Sequence, residues 1–220
     1  MEKKIVTMDP ADVSIDSLLA EMHMKEGHKL YESIAAMYND AVKIAKPVAL
    51  YVPFAPELHD DAVWLNGVKL AEPFVYQMLS DNDTVIPYVA SCGNEIDEWS
   101  RSFSNMFDQF AADALKEIYL DAVKDKLMGE VQEKYLDADK SISTINPGSL
   151  NKWPIEGQAP LFKILGGVTA DIGVELKDSM LMIPTKSVSG IIFQTDTAYH
   201  NCQLCPKVNC SGRQAPYEGD

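Results

Sequence analysis

The feature that most constrains this chain is the stretch over residues 95–135. No proline interrupts it, and Gly129 is its one glycine. Phe103, Phe107, Phe110, Ala114, Ile118, Ala122 and Leu127 recur at intervals that put them on one side of a helix. The spacing predicts a mainly helical region, and its apolar stripe has to be covered by another layer of the fold. Asp108, Asp113, Asp121 and Asp125 decorate the same region and read as a solvated face.

The rest of the chain is shorter in texture. Residues 15–45 carry Leu18, Leu19, Met22, Met24, Leu30, Ile34, Met37, Val42 and Ile44 with charges between them, which reads as helix ended by Pro47. Residues 48–53 are apolar and of strand length. Asn66-Gly67, flanked by apolar residues on both sides, predicts a hairpin over 63–70. Residues 73–80 read as a short helix and 85–90 as a buried strand. That strand ends in Ser91-Cys92-Gly93-Asn94, a turn that opens the long helical region. Residues 137–160 are dominated by turn signals, Asn146-Pro147-Gly148-Ser149 and Trp153-Pro154. An amphipathic helix follows, with Leu161, Phe162, Ile164 and Leu165, closed by Gly166-Gly167. Residues 174–176, 180–184 and 191–195 are strand-like, with Lys186-Ser187-Val188-Ser189-Gly190 as the connection before the last of them. Helices early and strands late imply an α+β fold rather than an alternating parallel one. The expected organisation is one domain over residues 1–198, mainly helical in its first half, with a cysteine-bearing tail over 199–220 packed on it.

Charge narrows the partners. The net charge is −14, so there is no cation excess to displace the counterions of a nucleic acid or to bind an anionic membrane surface. The two lysines near the start have no apolar run behind them, and no apolar run approaches the roughly 18 residues of a membrane span. A cytoplasmic location is the expectation, and disulfides are rare there. Arg101 and Arg213 are the only arginines, which argues against anion recognition by an arginine cluster. His23, His28, His59 and His200 show no metal spacing and read as surface positions. No phosphate-binding loop, dinucleotide fingerprint or Ser–His–Asp arrangement is present.

The cysteines carry the clearest chemistry. Cys202-x2-Cys205-x4-Cys210 is compact. A C-x-x-C pair can close on one metal through a tight turn, and a third cysteine can fold over it. Thiolates select zinc or an iron–sulfur cluster. Cys92 is the remote candidate for a fourth ligand; His200, two residues from Cys202, is less suited. Metal-free thiols are the alternative.

A resemblance sharpens this. Gly173-Val174-Glu175-Leu176, Asp178-Ser179-Met180, Pro184, Ser187-Val188-Ser189-Gly190 and Phe193 resemble the activation (reactivation) domain of cobalamin-dependent methionine synthase, in which a GxxLTxS segment leads into a strand and SVSGxxF follows. Pro147-Gly148, with the later helix carrying Leu161 and Phe162, is similar to that family's PGY turn and the helix after it. The 91–135 region fits the small stand-alone relatives of anaerobes. The similarity spans residues 25–200 and is specific within 147–193.

The resemblance implies a curved antiparallel sheet with flanking helices, S-adenosylmethionine as ligand, and docking on a corrinoid-carrying protein. There, inactive cob(II)alamin is reduced and remethylated. The domain's own part is to position a sulfonium methyl over cobalt. The implied ligand-binding residues are Asp121 for the ligand amino group, the turn Asn146, Pro147, Gly148 and Ser149, and Lys186, Ser187, Ser189 and Gly190. Two of the family's residues differ here. Ser149 stands where the family has the tyrosine that lies against the corrinoid. Thr144 stands where it has the arginine that contacts the ligand carboxylate. The family domain has no counterpart of the cysteine tail. The implied function is a reactivation protein for a corrinoid-dependent methyltransferase. Two alternatives share the fold. One is an activator or electron-transfer protein that uses a cysteine-bound centre at Cys202, Cys205, Cys210 and Cys92 without S-adenosylmethionine. The other is a non-catalytic module that docks a corrinoid protein.

Overall fold

The structure is a computed structural model that describes residues 2–25, 27–207, 209–210, 213 and 215–218. Its elements in chain order are β1 (Lys4–Thr7), α1 (Ile15–Glu21), α2 (Tyr31–Ile44), β2 (Val48–Tyr51), β3 (Glu57–His59), β4 (Ala62–Leu65), β5 (Val68–Leu70), α3 (Pro73–Leu79), β6 (Ile86–Ser91), α4 (Asn94–Ser100), α5 (Met106–Tyr135), β7 (Ser141–Ile145), α6 (Gln158–Leu165), α7 (Val168–Ile172), β8 (Glu175–Leu176), β9 (Met182–Ile183) and β10 (Ser187–Thr195).

Five strands form one antiparallel sheet in the order β1-β2-β6-β10-β7. β6 is buried along its whole length, as a central strand covered on both faces has to be. One face carries Tyr51, Ile86, Tyr88, Ala90 and Ile192, which pack with α1, α2, α4 and α5. The other carries Leu50, Val89, Ile191 and Phe193, which pack with α3, α6, α7 and a second small sheet, β3-β4-β5. The alternation along β10 divides its residues between the two cores: Val188 and Ile192 to the first, Ile191 and Phe193 to the second. The result is a mixed α+β fold of antiparallel sheets with flanking helices.

α5 is the backbone of the first layer. Its start is capped by Asn105, whose side chain accepts from the Asp108 N–H at 2.9 Å. Its buried stripe is Ala111, Leu115, Tyr119, Val123, Leu127 and Val131. The predicted stripe is therefore rotated by about one residue, and Phe110 is left 56% exposed. The helical region also breaks at residues 101–105, between α4 and α5.

Other expectations are met or corrected. The hairpin over 63–70 is present as β4 and β5, with a third strand added. The helix over 15–45 is two helices; His23 and Gly27, both with positive φ, lie in the break. Residues 137–160 contain β7, which sequence reading gave to turns. The segment Ser187–Gly190 is the first part of β10 and not a connection.

Candidate functional site

A groove of about 630 Å³ opens between the C-terminal half of α5 and the β7 edge of the main sheet. Lys124, Asp125 and Met128 of α5 form one wall. Thr144 and Ile142 of β7, Val188 of β10 and Tyr88 of β6 form the floor. Asn146 and Ser149 close one end, and Tyr199, His200, Asn201, Cys202 and Cys205 form the far wall. Such a volume is ordinary for a small-molecule site.

The floor depends on one missing side chain. In the antiparallel register Ile191 faces Ile145, so the next residue of β7's path, Asn146, comes over Gly190. A Cβ on Gly190 would lie 2.3 Å from Asn146 Nδ2, 2.6 Å from the Ile145 carbonyl oxygen and 3.1 Å from Tyr88 Cε1. Glycine permits this approach. Asn146 Nδ2 then donates to the Tyr88 hydroxyl at 3.0 Å and to the Ser189 carbonyl at 2.9 Å. Its Oδ1 accepts from Asn201 Nδ2 at 3.1 Å. Asn146 thus joins floor, turn and tail. Tyr88 is fully buried, and burial pushes its phenol up to about 12, with the Asn146 contact opposing. It remains a neutral hydroxyl at ordinary pH.

The turn at 146–149 is closed on itself. The Ser149 N–H donates to the Asn146 carbonyl at 3.2 Å and the Gly148 N–H to the Trp153 carbonyl at 2.8 Å. Gly148 has φ +82°, and a Cβ there would meet Ile155 Cδ1 at 2.6 Å. These two N–H groups are therefore committed within the turn. What the turn offers the groove is the Asn146 and Ser149 side chains.

The tail is anchored to the edge strand. The Tyr199 N–H donates to Ser143 Oγ at 2.9 Å, and the Tyr199 ring lies 6.5 Å from that of Phe74. Two polar atoms in this wall, the Tyr199 hydroxyl and Asn201 Oδ1, are buried with no hydrogen-bond partner among the described residues. Burial pushes the Tyr199 phenol up to about 12, with Cys202 adding to the effect. Unpaired polar atoms out of water are costly.

The expected site residues divide between places. Asn146 and Ser149 line the groove. Gly190 shapes it, and Pro147 and Gly148 shape its turn. Ser189 gives it a carbonyl, while its buried Oγ belongs to the opposite face of the sheet with Val89 and Ile191. Ser187 Oγ bonds across the sheet to Ser91 Oγ at 2.9 Å and to the Pro184 carbonyl at 2.8 Å. Asp121 and Lys186 line a second groove with Glu21, His23, Phe110, Asp113 and Glu117. There Lys186 pairs with Glu117 at 2.7 Å and Asp113 at 3.1 Å. Partial burial works against its charge, but these carboxylates outweigh that and hold its pKa above the usual lysine value. Asp121 pairs with Lys124 at 2.7 Å, and that lysine is its link to the first groove. The acid that faces the first groove is Asp125, one helical turn on.

The cysteines also separate. Cys202 and Cys205 line the groove and Cys210 is exposed. Cys92, expected as a fourth ligand, is fully buried in the core of α4 and α5, on the opposite face of the sheet from the core that Cys205 packs against. Burial, together with the nearby Asp97 carboxylate, pushes its thiol up to about 12. Among the described residues, no group of three or more His, Cys, Asp or Glu side chains is placed to hold an ion.

Sequence reasoning missed Tyr88, Lys124, Asp125, Tyr199, His200 and Asn201 as groove residues. Tyr88 had a signal: it is the one side chain with a polar tip inside the apolar run 85–90. His200 is exposed, as expected of a surface residue, and also lines the groove.

An α+β chain with this antiparallel order, a long helix over one face and a groove at the β7 edge defines a fold class that can be compared directly. No family model matches the sequence, and no curated protein matches it. Among solved structures the chain is similar to the MetH reactivation domain bound to AdoHcy, with 14% identity and a TM-score of 0.65 over 91% of this chain and 81% of that one. The fold is therefore that of the methionine synthase reactivation domain. No helix among the described residues is long and apolar enough to cross a membrane.

Proposed function

We propose that the groove between α5 and β7 binds an S-adenosyl ligand, and that the chain is a reactivation component for a corrinoid-dependent methyltransferase. In this reading S-adenosylmethionine supplies the methyl group when a partner's cob(II)alamin is reduced and remethylated. The partner carries the cobalamin, and the setting is cytoplasmic. The cysteine tail marks a branch of the fold family of the kind found in anaerobes, and residues 199–220 form a separate unit laid on the 1–198 domain.

One observation carries the reading. The segments that resemble the family's ligand-binding motifs, 144–149 and 188–190, meet at one groove of suitable volume, in a fold shared with a domain whose structure holds AdoHcy. The groove's chemistry supports it. Tyr88, Thr144, Asn146, Ser149 and Asn201 present neutral donors and acceptors for ribose and adenine edges. Lys124, which also pairs with Asp121, and Asp125 both line the groove with opposite charges, as the zwitterionic amino-acid end requires. Lys124 then serves where the family's arginine is replaced by Thr144.

Calorimetric titration of the full chain with S-adenosylmethionine and with AdoHcy tests this. Saturable binding in the micromolar range is expected. Asp125→Asn should weaken it about ten- to hundredfold, the value of one charge-assisted hydrogen bond, whereas Asp121→Asn should change it little. Folded protein that binds neither ligand up to millimolar concentration would overturn the reading.

A further inference from the structure

The tail wall of the groove carries two sulfurs that the S-adenosyl reading leaves unused. Cys202 and Cys205 both line it. Each is half-buried, and both stand as thiols. Their main chain is a closed turn, because the Cys205 N–H donates to the Cys202 carbonyl at 3.3 Å. A turn closed in this way keeps its first and last Cα atoms within about 7 Å. A disulfide spans roughly 4.4–6.8 Å between Cα atoms, so its reach and that of the turn overlap. The same path is held one step earlier, in the 3-10 turn Asn201–Gln203. There the Gln203 N–H donates to the His200 carbonyl at 2.9 Å and the Leu204 N–H to the Asn201 carbonyl at 3.2 Å. The main chain from 200 to 205 is thus fixed by successive bonds. Spacing alone would allow two such thiols to face different surfaces. The shared groove removes that freedom.

We propose that Cys202 and Cys205 are a dithiol that exchanges with small-molecule disulfides and closes reversibly into a Cys202–Cys205 disulfide on the groove wall. One protein thiolate attacks a sulfur of the incoming disulfide, breaks its S–S bond and displaces one small thiolate, leaving a mixed disulfide. The second protein thiolate attacks the protein-side sulfur of that bond and displaces the other small thiolate. The protein dithiol is oxidised by two electrons, the reagent is reduced to two small thiols, and these take up the two protein thiol protons. Cys92, buried in the other core, and Cys210, exposed on the tail, stand outside the exchange. The proposal is separate from the S-adenosyl reading, because its tests read sulfur chemistry and not ligand binding.

The experiment equilibrates the folded full chain with stepped ratios of oxidised to reduced glutathione, blocks the remaining thiols by alkylation and maps the products by peptide mass spectrometry. A Cys202–Cys205 disulfide is expected to grow with the ratio and to return to thiols when the ratio is reversed. Cys202→Ser and Cys205→Ser should each stop at the mixed disulfide of the remaining cysteine. Cys210→Ser and Cys92→Ala should leave the curve unchanged. Circular dichroism and melting confirm that each variant is folded. The same equilibration in urea separates the contribution of the fold from that of the C-x-x-C spacing. The ratio of closed disulfide to mixed disulfide should be at least about tenfold higher in the folded chain, since the turn already holds the two residues together. Thiols that stay reduced at every ratio, closure onto Cys210, or a closure ratio no higher in the folded chain than in urea would each overturn the proposal.

Discussion

The two grooves along α5 use polar groups in opposite ways. Near the start of the helix, the charges satisfy one another: Lys186 is held between Asp113 and Glu117, and the buried Asp97 pairs with Lys116 at 3.3 Å and with Arg101. Near its end, the floor and far wall hold mainly neutral groups, and two of their buried polar atoms, on Tyr199 and Asn201, have no partner among the described residues. Paired charges hold elements together and leave little for a ligand. Neutral hydroxyls and amides that line a groove can serve one. Ionisable side chains alone would point to the Lys186 groove, whereas side-chain amides and hydroxyls point to the groove at β7, which they line.

The largest separation between them is expected at high pH. Tyr88 and Tyr199 in the neutral groove have phenols pushed up to about 12 from 10.0, and Cys92 in the core has a thiol pushed up to about 12 from 9.0. In each case the folded state keeps a proton that the unfolded chain gives up. Stability is full below pH 9 and should fall progressively between pH 9 and 12. Urea unfolding followed across that range checks this, and a flat profile breaks the comparison. Asp97→Asn comes next. It leaves the Lys116 ammonium, whose side chain is only 9% exposed, without its buried partner, and should cost about 3 kcal/mol in chemical denaturation. Ligand binding at the far end of α5 should survive in the folded fraction.

Gly190→Val should cost about 1–3 kcal/mol, because the new side chain collides with Asn146 and the Ile145 carbonyl. Unlike Asp97→Asn it should also abolish S-adenosyl ligand binding, measured by the same calorimetry. The smallest effect belongs to Lys186→Met. Its ion pairs are partly exposed, so the change should cost less than about 1 kcal/mol and leave ligand affinity unaltered. A large loss of affinity in that variant would return Lys186 to the ligand site.

Much of this architecture was legible where local periodicity and burial agree. The long helical region, the Asn66-Gly67 hairpin and the apolar strand at 85–90 all follow from neighbours in sequence. β7 was not legible, since Ser141-Ile142-Ser143-Thr144-Ile145 sits among turn residues and becomes a strand through pairing with β10. Ser187–Gly190 reads as a connection because serine and glycine favour turns. In the sheet, the glycine is there so that Asn146 can cross it. The Pro147-Gly148 and SVSG segments that meet at the groove were legible in the sequence. Which α5 aspartate lines that groove was not. Asp121 and Asp125 lie one turn apart on a helix with aspartates along its length, and only the three-dimensional path of β7 separates them.

The groove's floor ends on a strand with a single ladder. Among the described residues, β7 is the last strand of the sheet and β10 is the one strand paired with it. Its outward-facing amides have no neighbouring strand to protect them, while those of β6 are flanked on both sides by β2 and β10. In amide hydrogen exchange, then, β7 belongs to the fast-opening part of the sheet and β6 to the slowest. A molecule spanning α5 and β7 would act as a missing neighbour, and its arrival would register as slower deuterium uptake along residues 141–146.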